Sequence, residues 1–205
     1  MSSLKEIEKD IAGCIKCSFN EKNDVRYCGG TGTDHRVMFI AESPSARGGT
    51  GIKTAEENFI SEGADALFAE VREKFGLGEC YLTDFVKCGR ASGKPDGEKI
   101  ENCLSFLKKE VDVVNPQVIV AVGKSFSVQT APDKRKSCDF AEFIREKLQT
   151  DVPVIPTYHY SYIWRWKKKR GWDHRGNKLD QIKPDWREKY EEQHKKIQEL
   201  LFQTV

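Results

Sequence analysis

Apolar residues fall along the chain in two rhythms. Short unbroken runs, Val37–Ala41, Tyr81–Val86, Gln117–Val122 and Val152–Pro156, predict four buried strands. Helical spacing fills the intervals. Leu4, Ile7 and Ile11 share one face of a helix predicted from Ser3 to about Cys14, and a second helix is expected through Ala64–Phe75. Ile100, Leu104 and Leu107 form the stripe of a helix beginning at Asp96, with acidic residues at its positive end. Further helices are predicted over Asp139–Leu148 and, as an amphipathic tail, over Trp186–Phe202. The stretches Ser18–Arg36, rich in Asn, Asp, Gly and Thr, and Ser45–Thr54, with Gly48, Gly49 and Gly51, predict loops.

Strands alternating with helices imply an α/β fold, three layers in αβα order around a central, mostly parallel four-stranded sheet. The whole of 1–205 is expected to form one domain, with 164–205 as a basic, aromatic and helical appendage. In such folds ligands bind beyond the carboxyl ends of the strands. Glu42, Asp84 and His159 each fall at or just past such an end, so this topology would gather them at one edge.

Composition narrows the classes. At 205 residues and 32% charged, the chain has length for a real core and is not disordered in composition. No apolar run is long enough to span a membrane, and the start, MSSLKEIEKD, lacks the apolar block of a signal peptide. A soluble, cytoplasmic and nucleoid-associated prokaryotic protein, monomeric, is the expectation. The net charge of +2 is too small for the molecule as a whole to hold nucleic acid, so any such role rests on local charge.

One stretch has that charge. Residues 164–178, WRWKKKRGWDHRGNK, carry seven Lys or Arg against one Asp, with Trp164, Trp166 and Trp172 interleaved. Cations such as Arg165, Lys167 and Lys168 neutralise phosphates, and flat rings stack on bases or wedge between them. The alternative is a solvated charged face with its indoles packed inward.

Seven cysteines point to thiols or metal ligands rather than a disulfide framework. Cys14 and Cys17 form a C-x-x-C, which puts two sulfurs on one turn. With Cys88 and Cys103 they make two separated pairs, suited to a tetrahedral zinc site or to a four-iron cluster, between which spacing does not choose. Cys28, Cys80 and Cys138 have no spacing partner and read as ordinary thiols.

The order of motifs is specific. It runs from C-x-x-C to a strand ending in Ala41-Glu42-Ser43-Pro44, then Phe59 in E-N-F-I. Y-L-T-D-F-V-K-C ending at Cys88 follows, then Cys103 fifteen residues on, and P-T-Y-H-Y-S around His159. This resembles the iron–sulfur uracil-DNA glycosylases, families four and five, over about Cys14 to Arg165. Family four carries G-E-A-P-G, P-F-V-G, T-N-V-V-K-C and T-Y/F-H-P in the same order, while SARGGTG at 45–51 is similar to the glycine-rich loop of family five.

The resemblance implies a DNA repair enzyme that flips a deaminated base, uracil foremost, out of DNA and hydrolyses its N-glycosidic bond without a lysine nucleophile. It implies a four-iron, four-sulfur cluster on Cys14, Cys17, Cys88 and Cys103, with zinc as the alternative. It makes Phe59 the stacking wall of the pocket and His159 the hydrogen-bond donor to the departing base. Glu42 becomes the carboxylate that orients water or stabilises the sugar cation. Ser43, Ser45, Gly48, Gly49, Ser161 and Arg165 would contact phosphates.

Asp84 stands where family four has Asn. An amide offers a donor and an acceptor to uracil O4 and N3–H, whereas an ionised carboxylate only accepts. A protonated Asp84 mimicking the amide, a pocket for hypoxanthine or xanthine, and a role on water are the three readings. Ser43 replaces Ala, Ser45 replaces Gly and Tyr160 replaces the Pro after the histidine, and Gly89-Arg90-Ala91 replaces an arginine–proline stretch. A non-catalytic binder of damaged or single-stranded DNA on the same fold is the rival function.

Overall fold

A computed structural model of the chain describes residues 3–44, 49–58, 64–90, 95–131, 134–163 and 185–203. Its central sheet is built from β2 (Asp34–Ala41), β4 (Cys80–Asp84), β6 (Val118–Val122) and β9 (Val154–Thr157), in the order β4-β2-β6-β9. All four run parallel.

Alternation along β2 explains the layers. Met38 and Ile40 point to one face, where Ile100 and Leu107 of α3 (Gly97–Val114) and Ile144 and Leu148 of α4 (Phe140–Leu148) cover them. Val37, Phe39 and Ala41 point to the other. There they meet Leu67, Phe68 and Val71 of α2 (Ala64–Lys74) and Tyr190, Ile197 and Leu201 of α5 (Asp185–Gln203). Burial on both faces is why these strands read as continuous apolar runs. Local signals set the helix starts. Ser3 and Glu6 form a capping box on α1 (Leu4–Ala12), while Asp96 and Asp139 accept the first-turn amides of Lys99 and Glu142, both at 2.9 Å.

Three expectations are corrected. Ser18–Arg36 is not all loop: it contains β1 (Asp24–Cys28) and the start of β2. The segment Ser45–Thr54 ends in β3 (Gly51–Thr54), which pairs parallel to β1. The predicted strand Tyr81–Val86 stops at Asp84, and the chain turns through Phe85–Lys87 into β5 (Cys88–Arg90), antiparallel to β1. A three-stranded sheet, β3-β1-β5, thus stands beside the main one. A hairpin of β7 (Ser125–Ala131) and β8 (Lys134–Asp139) follows β6, in a stretch without a predicted strand. Among the described residues no helix is long and apolar enough to cross a membrane.

Candidate active site

The chain order around the main sheet reverses at β2. From β2 it moves outward to β4, then crosses back through α3 to β6 on the other flank. The loops leaving neighbouring strands there diverge and open a crevice at the carboxyl ends. A cleft of about 510 Å³ occupies that place. Glu42 and Ser43 enter it from the end of β2, Gly123, Lys124 and Ser125 from the end of β6, and Tyr158, His159, Ser161 and Tyr162 from the end of β9; Trp186 of α5 closes one side.

The Glu42 loop is held by backbone contacts from the β4–β5 turn. The Phe85 amide donates to the Ala41 carbonyl at 2.8 Å and the Val86 amide to the Glu42 carbonyl at 3.1 Å. Gly89 is required by the same approach: a Cβ there would lie 2.2 Å from the Pro44 carbonyl oxygen. On the opposite wall Gly123 has φ +122°, and a Cβ on it would touch the His159 side chain at 3.8 Å.

His159 is oriented from within its own loop. The Ser161 amide donates to His159 Nδ1 at 3.1 Å, and the Ser161 hydroxyl lies 2.8 Å from the same nitrogen. A ring nitrogen that accepts from an amide carries no proton in the neutral imidazole, so the N–H is on Nε2. The Tyr160 ring packs against His159 at 4.4 Å and stacks on Phe68 at 4.8 Å. The Tyr160 hydroxyl is desolvated, which pushes its phenol well above its ordinary range, and it hydrogen-bonds Asp65, itself raised by burial. Asp84 is buried, 4% exposed, in register with Ala41 and electrostatically close to Tyr160 and Tyr27.

The cysteines form a second centre. Cys14, Cys17, Cys88 and Cys103 all border one small cavity, with Ile11 and Phe106 as apolar wall. Three sulfurs accept N–H donors: Cys88 from Arg26 Nε at 3.1 Å, Cys17 from Asn102 Nδ2 at 3.1 Å, and Cys103 from the Lys87 amide at 3.4 Å. Burial pushes the Cys88 thiol up and the Cys103 thiol to about 11. Partly to fully buried sulfurs, three of them offered an N–H donor, suit thiolate ligands of a cationic group. Among the described residues no three Cys, His, Asp or Glu side chains converge as a single metal ion would require. The other cysteines lie apart. Cys80 is buried, raised to about 12, and meets Asp34; Cys138 meets the Phe126 carbonyl; Cys28 borders a separate groove.

The structure therefore brings Glu42, Ser43, Ser161 and His159 together, sets Asp84 one strand away, and leaves Gly49 exposed outside the cleft. Ser45, Gly48, Phe59, Arg165, Lys167 and Lys168 lie outside the described residues. Two contributors were missed from sequence. Lys124 donates to the Tyr158 hydroxyl at 3.2 Å on the cleft wall. Gln193 of α5 accepts the Tyr158 amide at 2.8 Å. Lys124 follows the glycine that closes a predicted strand, a position from which it could have been singled out; Gln193 had no signal.

Comparison with known proteins bears on this arrangement. Residues 29–187 match the family model described as the Uracil DNA glycosylase superfamily. The chain belongs to the uracil-DNA glycosylase superfamily. Within it, the type-4 uracil-DNA glycosylase of Archaeoglobus fulgidus is 26% identical over 212 residues, covering 98% of this chain and 94% of that protein. The type-4 enzyme of Sulfurisphaera tokodaii is 24% identical, covering 78% and 74% respectively. A type-5 uracil-DNA glycosylase of Pyrobaculum aerophilum is 30% identical over a shorter stretch, 43% of this chain and 45% of that protein. The identities near one quarter fit a divergent superfamily member closer in coverage to type 4.

Proposed function

We propose that the chain excises uracil from DNA as a monofunctional glycosylase, hydrolysing the N-glycosidic bond and leaving an abasic site. The observation that carries this reading is the convergence of Glu42 and His159 on one cleft at the strand ends, with the imidazole proton held on Nε2. As the bond breaks, negative charge grows on the base oxygen and positive charge on the sugar. His159 Nε2–H donates to that oxygen and keeps its proton. Glu42 stabilises the sugar cation and orients the water that attacks it. Its backbone anchors to the β4–β5 turn spare it reorganisation during the step.

The target nucleotide leaves the helix to reach this cleft. Phe59 supplies the stacking surface for its base, and Asp84 accepts its N3–H from the edge beside β2. Ser43, Ser45, Gly48 and Gly49 contact phosphates as hydrogen-bond donors, while Lys124, Arg165 and the basic stretch with Lys167 and Lys168 neutralise phosphates on either side. Ser161 acts first through His159, and phosphate contact is secondary for it. The names of the relatives favour uracil over hypoxanthine or xanthine, and favour turnover over binding alone.

In the cysteine lobe, Cys14, Cys17, Cys88 and Cys103 would hold a four-iron, four-sulfur cluster. Four cysteine sulfurs bordering one cavity, three of them offered N–H donors, would suit such a cluster. The four thiolates come from the segment after α1, from β5 and from α3, and would tie these together through the bound group. Arg26 and Asn102 would hydrogen-bond its thiolates.

Single-turnover assays on oligonucleotides bearing uracil, hypoxanthine or xanthine test the reading. Abasic product from uracil foremost is expected, with loss in Glu42→Gln and His159→Ala. DNA binding without product from any of these bases would replace the enzyme with a binding protein.

A further inference from the structure

Lys87 takes no part in the chemistry above, yet it touches both centres. Its ammonium is buried against Glu110, the two side chains being 2% and 0% exposed. Nζ donates to Glu110 Oε2 at 2.6 Å, to Thr83 Oγ1 at 2.6 Å and to the Asp84 carbonyl at 2.7 Å. All three ammonium donors are therefore used. Thr83 Oγ1 in turn donates to the Glu110 carboxylate, at 3.2 Å to Oε2. The backbone of the same residue faces the cysteines: its amide donates to Cys103 Sγ, and Cys88 is the next residue.

Packing alone does not call for this pair. A buried ion pair contributes no more to stability than apolar side chains of the same volume would. What an ammonium adds here is a grip on a backbone carbonyl at the carboxyl end of β4. That grip acts on the turn whose Phe85 and Val86 amides hold the Ala41 and Glu42 carbonyls.

Resting on the proposed glycosylase reading, we propose that Lys87, seated on Glu110, is a positioning residue that locks the Asp84 and Glu42 ends of the sheet to the cysteine lobe. The lobe is then a brace for the base pocket, acting through residues 83–88. Disturbing either the ammonium or the lobe should move Asp84 and Glu42 out of register with the flipped nucleotide.

Two measurements test this. In the first, Lys87→Met/Glu110→Leu removes both charges, so neither is left buried alone. The expected variant keeps the visible absorption and iron content of the parent and binds abasic-site DNA as the parent does. Its single-turnover rate at saturating enzyme falls about tenfold to a hundredfold, as a small misplacement of reacting groups costs. Parent-like rates with fold and iron intact would overturn the proposal.

The second measurement stands even if that variant does not fold, and does not depend on activity. Hydrogen exchange is compared in the parent protein before and after iron removal by oxidation and chelation. Faster exchange at Phe85 and Val86, spreading from the cysteine lobe, is expected. Faster exchange confined to 14–28, with 83–88 unmoved, would overturn the brace. A parent protein that excises no base but shows the spreading pattern would retain the brace and reject the glycosylase.

Discussion

Ser161 fixes the protonation of His159: its amide donates to Nδ1 at 3.1 Å, leaving Nε2 to carry the proton. A neutral donor in that position stabilises an anion as it forms without itself losing a proton. His159→Ala should lower the single-turnover rate by about 10²–10³, the usual cost of one such donor. Affinity for abasic-site DNA should stay within a few fold. An unchanged rate would remove His159 from the mechanism. Ser161→Ala keeps the amide contact and should have a much smaller effect.

Asp84→Asn tests base recognition. An ionised carboxylate accepts N3–H but opposes uracil O4, and an amide serves both. The variant should favour uracil over hypoxanthine more strongly than the parent, read as a ratio of single-turnover rates. If the ranking of bases does not move, Asp84 holds structure, and its burial beside Tyr160 and Tyr27 is its role.

What the sequence disclosed follows from where energy is concentrated. The four central strands are covered on both faces, so Val37–Ala41 or Val118–Val122 could hardly be anything else. The placement of Glu42 and His159 at one edge was legible because a polar residue just past such a strand falls on the ligand edge. The small sheet was not legible: β1 lies in an Asn- and Asp-rich segment and is held by Gly51–Thr54 and Cys88–Arg90, distant in the chain. The hairpin Ser125–Asp139 reads as polar sequence, and its Phe126 is buried. Lys87 resembled any lysine before a cysteine, since its ion pair with Glu110 spans 23 positions.

The histidine loop also depends on the last helix. Gln193 accepts the Tyr158 amide, and Trp186 packs edge-on to Tyr158 and Tyr162 at 5.3 and 5.6 Å. Gln193→Ala leaves that amide without its acceptor, at about 1–2 kcal/mol of stability. Because Tyr158 precedes His159, the rate should also fall, about tenfold, through misplacement. Thermal unfolding and single-turnover rates measured together check this. A loss of stability with no loss of rate would mean that α5 packs on the fold without positioning the site.

His194 makes α5 sensitive to acid. Its side chain is fully buried beside Phe39, Phe68, Arg72 and Tyr190, with Glu191 near. Nδ1 donates to the Tyr190 carbonyl at 2.9 Å, so Nε2 is the bare acceptor of a neutral ring. Nε2, Tyr190 Oη and Arg72 Nε are buried without a hydrogen-bond partner in the protein. Burial, with Arg72 adding to it against the Tyr190 carbonyl, lowers the His194 pKa from 6.5 to about 4. The unfolded chain therefore binds the proton first as pH falls. Stability from this group is complete above about 6.5, declines between 6.5 and 4, and is lost below that, a total of about 3 kcal/mol. His194→Phe keeps the aromatic packing and cannot titrate. Denaturant midpoints measured between pH 7 and 4 should fall more steeply for the parent than for the variant. Parallel curves would show that His194 titrates alike in the folded and unfolded chains, and that the acid response belongs to the carboxylates.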